Sequence, residues 1–330
     1  MFKSLSNNIM TKQTAIITGI TGQDGAYLAE LLLRDNFTVI GLTRGYHNDN
    51  LNGLSYLGIK EKVTLMTCDL LDISQLIKII QQVKPTHIYN LAAQSSVSLS
   101  FQQPIGTFQF NTLSVFNLLE AIKMVDKTIR FYQASSSEMY GKVNNLPITE
   151  NSVLHPLSPY AISKAAAHFT CIHYRESYKL HVSCGVLFNH ESYLRQNTFF
   201  VKKVIQESIK LSKDLLDVLK VGNIDIKRDF GYAPKYTEAM YLILQQEQPS
   251  DYLICSGQTI SLREIIHYIF DKLSLSYNLY QIDDQLYRPA EIENIYGNNT
   301  KAKQELGWIY DLDIYQTLDL LLKEELENNS

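Results

Sequence analysis

The side chains best suited to moving protons in this sequence are Tyr160 and Lys164, four residues apart, and the carboxylate that closes the run Ser135-Ser136-Ser137-Glu138. In a helix, a spacing of four puts the phenol and the ammonium on one face. A phenol with a pKa of about 10 acts as a base near neutral pH only after a downward shift of about 3 units, worth ~4 kcal/mol. A lysine charge beside it supplies part of that shift. Alone, the Tyr-x-x-x-Lys spacing also describes a buried tyrosine beside a snorkelling lysine. The serines and Glu138 upstream, where a strand ends, make the pair a candidate proton-transfer site.

A second constellation, Thr18-Gly19-Ile20-Thr21-Gly22-Gln23-Asp24-Gly25, sets three glycines at GxxGxxG spacing. They fall between the β-branched run Thr14-Ala15-Ile16-Ile17-Thr18 and the helical pattern Tyr27, Leu28, Leu31, Leu32. Such a turn lets backbone approach a pyrophosphate at a helix N-terminus. An ordinary glycine turn is the alternative, and placement directly after a first strand argues against it. Arg44 follows the second strand, where dinucleotide folds meet the adenosine ribose. A cation there suits a 2′-phosphate, hence NADP over NAD; a solvated surface arginine is the competing reading. Asp69 and Leu70, after the third strand, are expected near the adenine. Leu91-Ala92-Ala93-Gln94-Ser95 ends the fourth with small residues that let a cofactor lie close, or that simply pack well.

These groups need a frame, and the pattern of apolar runs provides one. Strands are predicted at Thr14 to Thr18, Thr38 to Leu42, Val63 to Thr67, His87 to Leu91, Arg130 to Ala134 and Val182 to Leu187. Helical patterns alternate with them, including Ile73 to Gln82, Thr107 to Val125 and Pro159 to Tyr178. Strict alternation implies right-handed crossovers, hence an α/β fold of Rossmann type with a doubly wound parallel sheet. Helices Val201 to Ser212, Tyr236 to Gln246 and Leu262 to Leu273, strands Val218 to Val221 and Asp251 to Cys255, and an amphipathic helix from Ile314 follow. The expected division is a polar extension over residues 1–12, with Met10 as an alternative start, and an NADP-binding Rossmann domain over 13–190 to which 230–258 return. Residues 191–330 then make a smaller, mainly substrate-binding α/β domain, with the ligand cleft between the two.

Composition narrows the classes. In 330 residues, 45% are hydrophobic, ample for a large core, and a net charge of -4 disfavours non-specific nucleic-acid binding. Cys68, Cys171, Cys184 and Cys255 are scattered without a CxxC pair, which fits reduced thiols in a cytoplasmic protein and neither zinc nor a disulfide framework. No apolar run reaches the ~18 residues of a membrane span, and the first ten residues do not read as a signal peptide.

From about Thr14 to Leu322 the chain resembles the GDP-mannose 4,6-dehydratases, a group of extended short-chain dehydrogenases. The stretches that carry the resemblance are TGITGQDGAYLAELLL from Thr18, IYNLAAQSSVSLSF from Ile88, RFYQASSSEMYGKV from Arg130, SPYAISK from Ser158, HYRESY from His173 and LFNHES from Leu187. GNIDIKRDFG, LQQEQPSDY from Leu244, Arg288-Pro289-Ala290-Glu291, Lys301-Ala302 and Leu306-Gly307-Trp308 continue it.

The resemblance implies dehydration of a GDP-sugar, GDP-mannose first, with NADP as a retained cofactor. Tyr160 with Lys164 would deprotonate the sugar 4-hydroxyl, Glu138 would remove the C5 proton, and Ser136, where relatives carry Thr, would polarise the sugar oxygen. It assigns the cofactor to Gly19, Thr21, Gly22, Gln23, Asp24, Gly25, Arg44, Asp69, Leu70, Leu91, Ala93, Ser95, Tyr160, Lys164, His190 and Arg195. Ser95, Asn189, Lys202, Arg228, Arg288 and Glu291 would line the sugar-nucleotide cleft, with no metal. Helices Thr107 to Val125 and Pro159 to Tyr178 correspond to the pair that builds a homodimer bundle in relatives, and a homotetramer is the larger assembly. Departures from the family pattern fall at Gly45-Tyr46-His47-Asn48, Leu157, Tyr193, Gln196, Asn197 and Lys235. A GDP-heptose substrate, a sugar-nucleotide 4-reductase or epimerase, and a non-catalytic NADP-binding protein are the alternatives. A reductase or epimerase does not need Glu138.

Overall fold

The computed structural model describes residues 12–45 and 50–328. Residues 1–11 and the departures at Tyr46, His47 and Asn48 lie outside the described residues. The first half alternates strand and helix as its apolar runs require. β1 (Thr14–Thr18), β2 (Thr38–Thr43), β3 (Thr64–Thr67), β4 (His87–Asn90), β5 (Arg130–Ser136) and β6 (Val182–Leu187) are threaded by α1 (Gln23–Arg34), α2 (Asn52–Tyr56), α3 (Ile73–Val83), α4 (Val97–Gln102), α5 (Pro104–Val125) and α6 (Pro159–Tyr178). The second half holds β7 (Asn189–Glu191), α7 (Phe200–Ser212), β8 (Leu219–Val221), β9 (Lys227–Arg228), β10 (Phe230–Tyr232), α8 (Ala233–Gln245) and β11 (Asp251–Ile254). It ends with β12 (Ile260–Ser261), α9 (Leu262–Lys272), β13 (Tyr280–Ile282), β14 (Asn294–Ile295), α10 (Thr300–Leu306) and α11 (Ile314–Asn328).

Seven strands form one parallel sheet in the order β11-β6-β5-β4-β1-β2-β3. Period-two alternation splits its side chains between two cores: Ala15 and Ile17 enter the one beneath α1 and α8, and Ile16 enters the one beneath α3, α5 and α6. β4 and β6 are buried along their whole length, as central strands covered on both faces must be. Edge strand β3 is short and mostly exposed, with threonines at both ends. The order reverses between β1 and β4, so a crevice opens at their C-terminal ends, the usual ligand position in such sheets.

A third core joins α7, β8, α9 and α11 through Val204, Ile205, Leu219, Ile266, Phe270, Leu318 and Leu321. Between this unit and the sheet runs the segment β9 to β10, and its Asp229 is fully buried. The Asp229 carboxylate accepts from the Ser256 N–H (2.9 Å), the Ser256 hydroxyl (2.6 Å), the Gly257 N–H (3.0 Å) and the Gly297 N–H (3.4 Å). Burial pushes this carboxyl up to about 6 and the four donors pull against burial. One side chain thereby ties the exit of β11 to the loop after β14. Asp229→Ala leaves several buried donors unsatisfied and is expected to destabilise the protein by roughly 3 kcal/mol, with Asp229→Asn recovering part of the loss in thermal unfolding.

Candidate active site

The glycine turn is shaped by contact rather than by flexibility. Gly19 has a φ of +71°, and a Cβ there would stand 2.8 Å from the Ala92 nitrogen and 2.9 Å from the Leu91 carbonyl carbon. A Cβ on Gly25 would lie 2.3 Å from the Gly19 oxygen. Gly22 is the N-cap of α1 and carries no side-chain cap, so the first N–H groups of the helix face the crevice without a side-chain partner. Such a helix start suits a pyrophosphate, and a Cβ on Gly22 would meet only the Gly19 oxygen, at 3.3 Å. Thr18 completes the cradle: its hydroxyl accepts from the Leu91 and Ala92 N–H groups, each at 3.1 Å, and donates to Asn90 at 2.6 Å. Asn90 in turn donates to Gln133 at 2.8 Å, so the ends of β1, β4 and β5 are cross-linked by buried polar groups. Their signal in the sequence is a polar residue at or near the close of an otherwise apolar strand.

Other expected cofactor residues sit around this turn. Thr21, Arg44, Asp69 and Ser95 are exposed, Leu70 is buried, and Leu91 and Ala93 are partly exposed. Asp69 accepts the Leu71 N–H at 2.9 Å. Asn111 of α5 holds the 91–95 segment from behind, accepting from the Gln94 N–H (2.8 Å) and donating to the Gln94 carbonyl and the Ser163 hydroxyl (both 3.0 Å). Gln23 and Asp24 turn toward the segment after β6. Gln23 donates to the His190 carbonyl at 3.2 Å and accepts from Ser192 at 2.7 Å, and both Asp24 oxygens lie 3.0 Å from His190 Nε2. His190 Nδ1 lies 2.6 Å from the Phe188 carbonyl, and its ring stacks on Tyr236 with centroids 4.7 Å apart. With both ring nitrogens bonded inside the protein, neither meets a dinucleotide without breaking one of those bonds. Arg195 sits 3.6 Å from Glu191 with its guanidinium over the Phe199 ring.

α6 brings the candidate proton-transfer groups, Tyr160 and Lys164, to β5. Ser158 caps the helix by accepting the Ala161 N–H at 3.1 Å, and Pro159 opens its first turn, so the 160–164–168 face is aligned from the first residue. Ser136 stands close enough to the Tyr160 phenol to favour its ionised form, and its hydroxyl accepts the Glu138 N–H at 3.2 Å. Lys164 donates to the Ala134 carbonyl at 2.9 Å, with its ammonium 5.9 Å from the Tyr160 ring centre. One turn further, His168 bonds the Ser135 hydroxyl at 3.0 Å. Three residues of one helix face therefore grip three consecutive residues of the strand end, and the His168 contact went unread because a lone histidine on a helix has no sequence signature. Burial pushes the Tyr160 phenol up to about 12, outweighing the Ser136 hydrogen bond and the Arg195 charge, and it lowers Lys164 to about 8.

Across the crevice, Arg228 is buried and donates to the Ile292 and Lys227 carbonyls, with Glu291 at 3.5 Å. Arg288 lies 3.8 Å from the same carboxylate, and Glu138 is close enough for its charge to act on Arg228 and Glu291. Asn189 donates to the Asp229 carbonyl at 3.2 Å. Lys202 is turned elsewhere: its ammonium donates to the Tyr193 carbonyl at 2.6 Å, lies over the Tyr193 ring and pairs with Glu325 of α11. To reach a diphosphate it would have to leave Glu325. Tyr193, one of the departures, also packs its ring on Tyr56, with centroids 4.8 Å apart. Another departure, Lys235, pairs with Asp311 at 3.2 Å.

Comparison with known proteins places the chain in a family and a fold. The family model for GDP-mannose 4,6 dehydratase matches residues 16–320. GDP-mannose 4,6 dehydratase 2 of Arabidopsis thaliana is 39% identical over 98% of this chain and 90% of its own length. Among solved structures, the dTDP-glucose 4,6-dehydratase DesIV of Streptomyces venezuelae, with NAD and TYD bound, superposes with a TM-score of 0.86 at 20% identity, covering 96% of this chain and 98% of its own. RMD from Pseudomonas aeruginosa complexed with NADPH gives 0.80 at 26% identity, covering 97% and 100%.

Two predictions follow from the geometry of the turn and of Lys164. Gly25→Ala is expected to lower the melting temperature markedly and abolish dinucleotide binding, whereas Gly22→Ala should keep the melting temperature within about 2 °C yet weaken binding at least about ten-fold in a fluorescence titration. Lys164 binds its proton less well folded (about 8) than unfolded (10.5), so between those values the unfolded chain holds more protons and stability rises with pH. Lys164→Met should therefore stabilise the protein by roughly 2 kcal/mol at pH 7, an advantage that fades toward pH 10.5 in urea unfolding.

Proposed function

The chain belongs to the GDP-mannose 4,6-dehydratase family, and on that footing we propose how its residues convert GDP-mannose to GDP-4-keto-6-deoxymannose. The observation that carries the scheme is the end of β5, where Lys164 holds the Ala134 carbonyl at 2.9 Å and the Ser136 hydroxyl, beside the Tyr160 phenol, accepts the Glu138 N–H at 3.2 Å. Oxidation of an alcohol needs only the tyrosine and the lysine; loss of water needs a second base, the role this reading gives to Glu138.

In this scheme Tyr160 takes the proton of the sugar 4-hydroxyl, with the Lys164 charge stabilising the phenolate and Ser136 holding the sugar oxygen. A nicotinamide dinucleotide at the glycine turn supplies the acceptor for the C4 hydride and the donor that returns it to C6. The C4 carbonyl acidifies C5, Glu138 removes the C5 proton, and the C6 hydroxyl departs as water. The two protons collected at Tyr160 and Glu138 are the two returned, one to the leaving hydroxyl and one to C5. Arg228 and Arg288, bracketing Glu291, offer planar donors to a diphosphate that a net acidic protein would otherwise hold poorly.

We assign NADP as the dinucleotide because Arg44 follows β2 with its side chain exposed, free to meet a 2′-phosphate. A second copy of the chain is the proposed partner. Ile105 is 79% exposed and Phe169 58%, and together with Phe108, Leu113, Phe116 and Ile162 they leave an apolar face on α5 and α6 that a four-helix dimer interface would bury. The four cysteines are free and buried, which suits a reducing cytoplasm, and among the described residues no helix is long and apolar enough to cross a membrane.

Incubation of the purified protein with GDP-mannose should yield a keto-sugar, followed by its alkaline absorbance and by a mass loss of one water. Glu138→Gln is expected to lower kcat by about 100-fold or more with little change in the affinity for GDP-mannose. Unaltered turnover in that variant would instead point to oxidation and reduction without elimination.

A further inference from the structure

A neutral imidazole has one N–H, and His190 needs two. Its Nδ1 faces the Phe188 carbonyl and its Nε2 faces the Asp24 carboxylate, and neither partner can donate. The geometry therefore assigns His190 as an imidazolium. Asp24 stands in the first turn of α1, the turn whose uncapped N–H groups are shaped for a pyrophosphate. A carboxylate in that place repels an anion unless a cation is fixed beside it.

We propose that Asp24 and His190 set how strongly the turn holds a dinucleotide: a neutral unit while His190 keeps its proton, a bare carboxylate beside the pyrophosphate once it is lost. Asp24 and His190 are positioning residues, and neither needs to touch the ligand. Gln23 reinforces the arrangement by donating to the Asp24 carboxylate at 3.0 Å as well as to the His190 carbonyl.

The surroundings determine where the change falls. Tyr236 of α8 stacks on the ring, its phenol pushed well above its ordinary range by burial, so it stays uncharged. Glu191 and Arg195 lie on the same segment, with Lys202 behind Glu191. Lys164 and Tyr160 of α6 are within electrostatic reach of Asp24. Burial disfavours the imidazolium and Arg195 repels it, yet the charge and hydrogen bond of Asp24 outweigh both and hold the His190 pKa above its ordinary value of 6.5. The imidazolium that the two acceptors require loses its proton as the pH rises through the raised value. Because Lys164 also discharges near pH 8, the profile of the wild-type protein has to be compared with a variant lacking only the carboxylate charge.

The test is the dissociation constant of NADH and NADPH, by fluorescence titration from about pH 6 to about pH 9.5, for the wild-type protein and Asp24→Asn. The wild-type affinity should fall about ten-fold more than that of Asp24→Asn across this range. The ring signals of His190, assigned in NMR spectra by comparison with His190→Gln, should titrate at the same midpoint. Parallel profiles in the two proteins, or a His190 ring already neutral at pH 7, would overturn the proposal. It rests on the dinucleotide reading of the turn, and the two fail differently: no binding by either protein at any pH removes that reading together with the proposal, whereas binding with parallel profiles removes the proposal alone.

Discussion

Gly19 has no side chain because the peptide joining Leu91 to Ala92 occupies the space where one would stand. That close approach sits at the point where the sheet order reverses. It brings the turn after β1 against the end of β4, and Thr18 fastens the two by accepting both N–H groups of the approaching strand. The remaining parts of the site are placed relative to it. Asn90 carries the cross-link on to Gln133 of β5, whose last residues hold the serines, and β5 is where α6 delivers Tyr160 and Lys164.

Around that junction, charges are buried at a cost in stability. Lys164 loses affinity for its proton, Arg228 lies against the segment that carries Glu291, and Asp24 is compensated chiefly by a histidine whose two bonds require it to be protonated. A core built for stability alone would fill these places with apolar groups. Each charge here has hydrogen bonds that fix its direction, which is what a reaction passing protons between set positions requires. Asp229 is the contrasting case: a buried carboxylate with four donors that touches neither the glycine turn nor the Tyr160-Lys164 pair, and serves to tie the exit of β11 to the loop after β14.

Local pattern foretold the long elements well and the short ones poorly. The central strands appear where β-branched runs predict them, since continuous apolar residues covered on both faces admit few other conformations. Helix α5 begins at Pro104 rather than Thr107, α8 begins at Ala233 rather than Tyr236, and β5 runs on to Ser136 instead of stopping at Ala134. In both helices a proline in the first turn extends the start, a signal the apolar periodicity overlooks. The short helices α4 and α10 and the paired strands β7, β9, β10, β12 and β14 went unseen, because segments of a few residues are stabilised by tertiary contacts rather than by their own periodicity.

The sequence by itself determined the central strands, the glycine turn and the phenol-ammonium pair, because each depends on residues close together along the chain. It also offered Glu138, through the family resemblance, as the candidate base for elimination. Which charge answers which was decided only by the tertiary structure. Lys202, which the resemblance assigns to the sugar-nucleotide cleft, pairs with Glu325 at the far end of the chain, and His190 answers Asp24 across more than 160 positions of sequence. A charge in a protein interior is governed by the nearest opposite charge in space, and distance in space is what folding sets and what spacing along the chain does not encode.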